Sequence, residues 1–285
     1  MIRPGAIGDC ILSLPAIECL RAQYLEVWVA TPNMPLIRFA AAVGSIAASG
    51  LDSLGLPDRE PPRALIERLR GFDSIVSWYG ANRAEFRDAV RRLGLPFHFL
   101  PALPPPDSSL HAADFFAGQV RGFCDCPVPA VPRLDCPRAD EGFAVIHPFS
   151  GSAKKNWPLE RFRELAARLE QRMPVRWCAG PNEDWRVARG PWQVDAVRIE
   201  NLYELACWLA RSHVYIGNDS GITHLAAAAG APVVALFGPT DPARWAPRGD
   251  RVRIVATDKL SQPVEQIPAE AVLKAVESLE NTVRR

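Results

Sequence analysis

The sequence has little excess charge of either sign. Its 285 residues include 33 basic and 32 acidic side chains, which gives a formal net charge of +1, and both halves of the chain are close to balance. A protein that binds nucleic acid through its phosphates needs a basic surface. This composition therefore argues against a general nucleic-acid-binding protein, and we expect no nucleic-acid partner.

Long apolar runs and a recognisable signal peptide are also missing. A transmembrane helix needs about 18 or more consecutive apolar residues, and the apolar stretch at residues 223–237 is broken by Gly230 and Pro232. The first residues lack the charged, apolar and small-residue regions of a signal peptide. These features predict a soluble, cytoplasmic protein that is at most peripheral on the inner membrane.

The seven cysteines of the chain are odd in number. Four of them lie in apolar or helical settings and are predicted to be core thiols: Cys10, Cys19, Cys178 and Cys207. Three more cluster in a proline-rich segment: Cys124, Cys126 and Cys136. Their C-x-C spacing and the lack of a fourth ligand make a structural zinc site the less favoured interpretation, so we expect no metal and a reducing compartment.

Predicted strands and helices alternate along the chain, as in α/β proteins with parallel sheets. The predicted strands cover residues 25–30, 74–78, 143–147, 175–179, 214–217 and 233–237. The predicted helices cover residues 15–23, 61–69, 82–93, 111–123, 158–171, 202–210, 222–229 and 269–280. We expect helices on both faces of each sheet.

The proline-rich stretch at residues 126–137 is typical of a linker. We therefore expect two Rossmann-like domains facing a cleft, residues 1–137 and 138–285, with the last helix able to pack back on the first domain. Ligands of such sheets bind beyond the carboxyl ends of the strands. Only Met1, Ile2 and Arg3 precede the first loop, so either the first strand is clipped or the protein begins upstream.

A polar turn that opens a helix is the first candidate site. Asp219, Ser220 and Gly221 follow a predicted strand and precede a predicted helix. The first N–H groups of a helix have no intrahelical partner and favour an anion, so these residues can present N–H groups to a diphosphate. His224 lies one turn into the helix. It is predicted either to face the anion or to be a packed residue.

Two further loops follow predicted strands of the second half. One contains Ser150, Lys154 and Lys155, and only four of the 33 basic residues in the chain are lysine. Small polar residues with lysine suit a phosphate, although a solvated loop before a helix would have a similar composition. The other loop carries Glu183, which could accept ribose hydroxyls, but its Gly-Pro start is also typical of an ordinary turn.

The loop Gly5-Ala6-Ile7-Gly8-Asp9 follows the short first strand. Gly5 and Gly8 allow the backbone to approach a ligand closely. Asp9 could accept a proton from a nucleophile, and it could equally cap the following helix. The loop does not have the G-x-G-x-x-G pattern, so dinucleotide binding is not indicated.

The order of these motifs resembles glycosyltransferase family 9, best known for the ADP-heptose:lipopolysaccharide heptosyltransferases. The motifs are Gly-x-x-Gly-Asp, Lys-x-Trp-Pro, Gly-Pro-x-x-Glu, Asn-Asp-Ser-Gly-x-x-His-Leu-Ala-Ala and Phe-Gly-Pro-Thr. The resemblance covers nearly the whole chain, although the first half beyond Pro15 matches only in general pattern. It implies a glycosyltransferase B-type fold with the acceptor on the first domain and the nucleotide sugar on the second.

The resemblance also implies a role for each motif. Asp9 matches the proposed base, with Gly5 and Gly8 in the acceptor-side loop. Lys155 matches the lysine that contacts the donor phosphate, and Glu183 matches the ribose-binding acid. The donor-binding residues that the resemblance implies are Ser150, Lys154, Lys155, Glu183, Asp219, Ser220, Gly221 and His224.

The expected function is therefore that of an inverting, metal-independent glycosyltransferase without a cofactor. We expect it to act as a monomer and to move heptose from an ADP-sugar to a lipopolysaccharide-type acceptor, either a glycolipid or an oligosaccharide. Two alternatives stay open. The chain could use another nucleotide sugar for a different surface glycan, or it could bind a nucleotide sugar without transferring it.

Overall fold

The computed structural model describes residues 1–180, 183, 196–259 and 262–283. The chain forms two compact units, the first made of Met1–Ser108 and Ala112–Ala130 and the second of Ser109–His111 and Val131–Arg285. Each unit contains its own parallel sheet.

The first unit is described throughout and has a five-stranded sheet in the order β3-β2-β1-β4-β5. Its elements are β1 (Ile2–Arg3), α1 (Ile7–Cys19), β2 (Glu26–Val29), a 3-10 helix (Thr31–Leu36), β3 (Ala42–Ser45), α2 (Ile46–Ser49), α3 (Arg63–Arg70), β4 (Ile75–Ser77), α4 (Ala84–Arg92), β5 (Phe97–Phe99) and α5 (Ala112–Gln119). All strand pairs are parallel. The strand order changes direction between β1 and β4, where ligands of such sheets bind.

The second unit has a sheet in the order β11-β10-β9-β6-β7-β8 among its described residues. Its elements are β6 (Ala144–His147), a 3-10 turn (Ala153–Lys155), α6 (Leu159–Leu169), β7 (Val175–Ala179), β8 (Ala196–Arg198), α7 (Leu202–Leu209), β9 (Val214–Asn218), α8 (Gly221–Ala228), β10 (Val233–Phe237), α9 (Pro242–Trp245), β11 (Val252–Ala256) and α10 (Ala269–Val283). The strand order changes direction between β6 and β9. The loops after these two strands therefore flank the expected ligand position.

Apolar packing fixes the central strands of the second unit. Every residue of β9 and β10 is buried, as expected for parallel strands that are covered on both faces. Phe162 and Leu165 of α6 join the same core as Val272 and Val276 of α10. The strand ends are thus held rigidly, and the polar loops that follow them inherit defined positions.

The expected α/β class, with Rossmann-like parallel-sheet domains, is confirmed, but the first helix differs from its prediction. It covers Ile7–Cys19 rather than residues 15–23, and Pro15 lies in its interior. The prediction took Pro15 for a helix start. The helix instead begins next to Gly5 and places Asp9 in its first turn. Within the residues described, no helix combines the length and apolar character needed to cross a membrane.

The cysteines require one correction. Cys19, predicted to be a core thiol, forms a disulfide with Cys124 in the first unit. The sequence separation hid this pair, because α1 and the segment after α5 meet only through the fold. Cys10 and Cys178 are buried thiols as predicted, and burial raises the pKa of Cys10 to about 12. Cys207 is only partly buried.

Candidate active site

Asn218 joins the two loops that flank the point where the second sheet changes direction. Its side chain is completely buried at the end of β9. Its Oδ1 accepts a hydrogen bond from the Trp157 N–H at 3.0 Å, and its Nδ2 donates to the Pro148 carbonyl at 2.8 Å. Both ends of the lysine loop, residues 148–157, are therefore fixed to β9.

Lys155 and Asp219 meet between these loops. The Nζ atom of Lys155 lies 2.7 Å from Oδ2 of Asp219. Asp219 is buried and Lys155 is about one-third exposed, with side-chain exposures of 8% and 33%. The cation thus stands next to the start of α8 with one side open to a ligand. The neighbouring Lys154 is exposed.

Ser150 shapes the lysine loop from within. Its hydroxyl lies 2.7 Å from the Ser152 carbonyl and 2.6 Å from Oδ1 of Asn156, and it also accepts from the Ser152 N–H. These contacts close the turn that carries Lys155. The site prediction for Ser150 therefore falls on a side chain that already has structural partners.

The start of α8 provides unused backbone donors. Ser220 is the N-cap, and its Oγ accepts a hydrogen bond from the Thr223 N–H at 3.3 Å. Within the described part of the chain, the N–H groups of Ser220, Gly221 and Ile222 make no hydrogen bond. Three N–H groups at a helix start suit an anion.

Asp219 does not contribute to this set, which corrects one expectation. Its N–H donates to the Leu236 carbonyl at 3.0 Å, extending the contact between β9 and β10. The sheet continues one residue further than the predicted strand, and this consumes the donor. Asp219 therefore acts through its carboxylate and not through its N–H.

His224 lies at the end of the first turn of α8 and is 6% exposed. Its backbone N–H donates to the Ser220 carbonyl at 3.2 Å. The structure thus places it within one turn of the free N–H groups. Its burial also agrees with the alternative interpretation of a packed residue.

The sequence analysis missed His147, which ends β6 and is completely buried. Its Nε2 lies 2.7 Å from Oε2 of Glu183, and its Nδ1 lies 3.4 Å from Oγ of Ser220. Its ring stacks on that of Tyr215. Two predicted site residues from separate loops therefore share one histidine. Its position at the carboxyl end of a strand was a usable signal.

Glu183 lies beyond the carboxyl end of β7, and short contacts hold its carboxylate. Its Oε2 also accepts a hydrogen bond from the Gly180 N–H at 2.6 Å. Burial alone would raise the pKa of Glu183, but its hydrogen bond and charge interaction with His147, the Gly180 N–H and the charge of Arg198 together hold that pKa below its ordinary value. Glu183 is therefore a carboxylate at neutral pH.

Ser220, His147 and Glu183 have the residue types of a hydrolase triad. His147 is completely buried, however, and the Ser220 hydroxyl is engaged in capping α8. A nucleophilic serine needs a hydroxyl that reaches substrate. This group therefore fixes polar side chains and is not arranged for acyl transfer.

In the first unit, Asp9 has a half-buried carboxylate in the first turn of α1. Its Oδ2 accepts a hydrogen bond from the Ala6 N–H at 3.1 Å. Gly5 has a φ of 122°, and a Cβ there would stand 2.9 Å from the same oxygen. Gly5 thus permits the close turn, and Asp9 does cap the helix start, from inside the helix rather than from the N-cap position.

Arg3 of β1 contacts this turn, and it was also absent from the predicted site residues. It is 1% exposed and donates to the Asp9 carbonyl and to the Ser13 hydroxyl. A third hydrogen bond reaches the Ala102 carbonyl, and the guanidinium lies over the Phe116 ring. Burial lowers the pKa of Arg3. The sequence signal was a charged residue inside a central strand, which needs buried partners.

Comparison with known proteins identifies the family. The model of "Glycosyltransferase family 9 (heptosyltransferase)" matches residues 117–271, more than half of the chain. The chain belongs to glycosyltransferase family 9. The matched segment includes Lys155, Glu183 and the start of α8, whereas Asp9 lies outside it.

Curated relatives of this family 9 chain are heptosyltransferases. Lipopolysaccharide heptosyltransferase 3 of Escherichia coli (strain K12) is 28% identical over 195 residues, which cover 60% of this chain and 56% of the relative. The match therefore spans little more than half the length of that protein.

Solved structures confirm the glycosyltransferase B-type fold. A family 9 glycosyl transferase from Veillonella parvula has a TM-score of 0.76 at 17% identity, covering 99% of this chain and 97% of that one. The Escherichia coli heptosyltransferase WaaC with ADP has a TM-score of 0.70 at 18% identity and covers 98% of both chains.

Proposed function

We propose that this family 9 chain transfers heptose from ADP-heptose to a lipopolysaccharide-type acceptor, with inversion and without a metal ion. The observation that carries the proposal is the pairing of Lys155 with Asp219, 2.7 Å apart, beside the free N–H groups that open α8. This arrangement lies within the segment matched by the family model. The relatives named above, heptosyltransferases with one bound to ADP, support the choice of donor.

On this proposal, the second unit binds the donor. The N–H groups of Ser220 and Gly221 and the ammonium of Lys155 hold the diphosphate, because each offers a donor to phosphate oxygen. Glu183 accepts the ribose hydroxyls, which a carboxylate suits well. His224 and Ser150 line the same donor region, and Lys154 assists from the adjacent position.

The first unit supplies the base and takes the acceptor. Asp9 removes the proton from the acceptor hydroxyl as its oxygen attacks the anomeric carbon. The bond between that carbon and the diphosphate oxygen breaks in the same displacement, so the anomeric configuration inverts. Positive charge and N–H groups at the diphosphate stabilise the leaving group as its negative charge grows.

No metal ion is needed for this scheme, since Lys155 and the helix start provide the positive charge. Among the described residues, no group of three or more His, Cys, Asp or Glu side chains is placed to hold a metal. We expect turnover to be unchanged by a chelator. Loss of turnover with EDTA, restored by a divalent cation, would contradict this part of the proposal.

The decisive assay supplies ADP-heptose and a deacylated lipopolysaccharide core. We expect release of ADP and a product whose anomeric configuration is opposite to that of the donor, as seen by NMR. A thermal-shift comparison of ADP, UDP and GDP tests the nucleotide. Stabilisation by UDP or GDP alone would favour another nucleotide sugar, and donor binding without transfer to any acceptor would favour a binding protein.

We further propose that the protein is a cytoplasmic monomer, at most peripheral on the inner membrane. Five cysteines are thiols, namely Cys10, Cys126, Cys136, Cys178 and Cys207, as a reducing compartment requires, and the Cys19–Cys124 disulfide is the exception to that expectation. Cell fractionation and size-exclusion chromatography with light scattering would test location and oligomeric state. Recovery in the periplasm or as a larger assembly would contradict these assignments.

A further inference from the structure

We propose that His147 is a positioning residue that sets how strongly the donor's ribose is recognised, acting through Glu183. The inference rests on the proposed function, in which Glu183 accepts the ribose hydroxyls. His147 itself is completely buried and would not touch the donor.

The Glu183 carboxylate is held through one of its two oxygens. Two contacts converge on Oε2, from Nε2 of His147 at 2.7 Å and from the Gly180 N–H at 2.6 Å. Among the described residues, no hydrogen bond falls on Oε1. The described contacts therefore anchor Oε2, and the proposal assigns Oε1 to the ribose hydroxyls.

His147 has a rigid position in the sheet. It ends β6, a central strand paired with both β7 and β9. Its ring lies nearly parallel to that of Tyr215, with centroids 6.3 Å apart. A carboxylate held by such a ring loses little further freedom when it binds ribose, which favours affinity.

The other ring nitrogen of His147, Nδ1, faces the residue that caps α8. Nε2 of His147 faces Glu183, and Nδ1 on the other side of the ring lies 3.4 Å from the Ser220 hydroxyl. Ser220 caps α8, where the diphosphate is proposed to bind. His147 thus fixes the carboxylate for the ribose relative to the helix start for the phosphates.

This arrangement predicts a ribose-specific effect. The binding of ADP should depend on His147, whereas the binding of 2′,3′-dideoxy-ADP, which lacks the hydroxyls, should not. A merely structural role would weaken both ligands alike. The ratio of the two dissociation constants therefore separates positioning from stability.

The experiment measures both Kd values by calorimetry for the full chain and for His147→Phe, His147→Gln, Glu183→Gln and the double variant His147→Phe/Glu183→Gln. We expect the wild-type chain to prefer ADP by about 10-fold or more, as for a hydrogen bond to a charged group. His147→Phe should lose most of this preference with little change for dideoxy-ADP. His147→Gln, which keeps an amide donor near Nε2, should retain much of the preference.

The double variant should lose no more preference than Glu183→Gln alone, because both changes act through the same carboxylate. Equal weakening of both ligands by His147→Phe would overturn the inference, as would full additivity in the double variant. If His147→Phe does not fold, His147→Asn takes its place, because its shorter amide cannot reach Glu183; full retention of the preference for ADP in that variant would overturn the inference.

The failure of this inference can be told apart from that of the proposed function. If the wild-type chain transfers heptose but His147→Phe keeps the full preference for ADP, only the inference fails. If the wild-type chain prefers ADP in a His147-dependent manner but transfers nothing, the transferase proposal fails and the positioning role stands. A wild-type chain without any preference for ADP over dideoxy-ADP overturns the ribose role itself.

Discussion

Asp9 combines a structural contact and a proposed chemical step in one carboxylate, and two substitutions separate them. Asp9→Asn keeps an oxygen that can accept the Ala6 N–H, seen at 3.1 Å, but it cannot accept a proton. We expect turnover to fall by about 10²–10⁴-fold in Asp9→Asn with unchanged stability and unchanged ADP affinity. Asp9→Ala should lose the same activity and about 1 kcal/mol of stability as well. Normal turnover by Asp9→Asn would exclude the base role.

Lys155 is expected to dominate the binding of the diphosphate. Lys155→Ala removes a charge-assisted hydrogen bond and leaves Asp219 unpaired beside the phosphate, so the Kd for ADP should rise by about 10-fold or more. Lys154→Ala should have a smaller effect, since Lys154 is exposed. Lys274→Ala, which removes the same charge from α10, is the control. A larger rise in the calorimetric Kd for ADP in Lys154→Ala than in Lys155→Ala would contradict this assignment.

Glu183 makes a pH-dependent contribution to stability. Its pKa in the folded state is held below the ordinary value of 4.5. The unfolded chain therefore binds this proton more tightly, so the contribution is present above about pH 4.5 and is lost as the pH falls through the lowered folded value. Urea unfolding should show that the difference between the wild-type chain and Glu183→Gln shrinks below about pH 4.5. A difference that stays constant down to about pH 3 would contradict this.

The site residues that could be predicted from the sequence are those in loops that follow strands, because parallel strands direct their carboxyl ends to one edge of the sheet. Lys155, Asp219 and Glu183 were found in this way. His147 and Arg3 were not, because each is the last residue of its strand and stands just before the loop. Their partners come from distant segments, such as Ala102 for Arg3, and such pairs follow only from the fold.

Among the elements, the loops after β6 and β9 act as a unit because Asn218 joins them. Asn218→Ala leaves the Trp157 N–H and the Pro148 carbonyl without their partner, which should cost about 1–3 kcal/mol. We expect the lysine loop to loosen and the Kd for ADP to rise several-fold. Asn201→Ala, which removes the cap of α7, should cost about 1 kcal/mol and leave the Kd unchanged. If Asn218→Ala and Asn201→Ala changed the Kd for ADP equally, Asn218 would act only through the stability of the fold.

Central strands such as β7 and β10 were predicted, whereas the edge strands were missed. The predicted ranges for β7 and β10 match the structure, because buried parallel strands have continuous apolar sequences. The four outermost strands, β3, β5, β8 and β11, were missed. β3 contains Gly44, and β5 consists of three residues. The Val-Arg-Ile-Val-Ala sequence of β11 is rich in β-branched residues, and this signal was overlooked.

For the whole molecule, the disulfide between Cys19 and Cys124 is the main covalent constraint described. It closes a loop with a sequence separation of 105, and loop-closure entropy predicts a stabilisation of about 4–5 kcal/mol. Calorimetry with and without reductant should show a lower transition temperature for the reduced form, matched by Cys19→Ser/Cys124→Ser. Cys207→Ser is the control. Peptide mapping that finds both thiols free after aerobic purification would contradict the pair.

The free N–H groups at the start of α8 have a consequence for how the site would handle charge during a reaction. Three backbone donors can satisfy the oxygens of about one phosphate, and they cannot move. The second phosphate of a diphosphate must then rely on Lys155, a side chain that is paired with Asp219 and about one-third exposed. The N–H groups of α8 would bind the diphosphate before the reaction. The ammonium of Lys155 could move toward the negative charge that builds up as the leaving group departs. Two of the four lysines in the chain, Lys154 and Lys155, lie at this loop, where such a mobile positive charge would act.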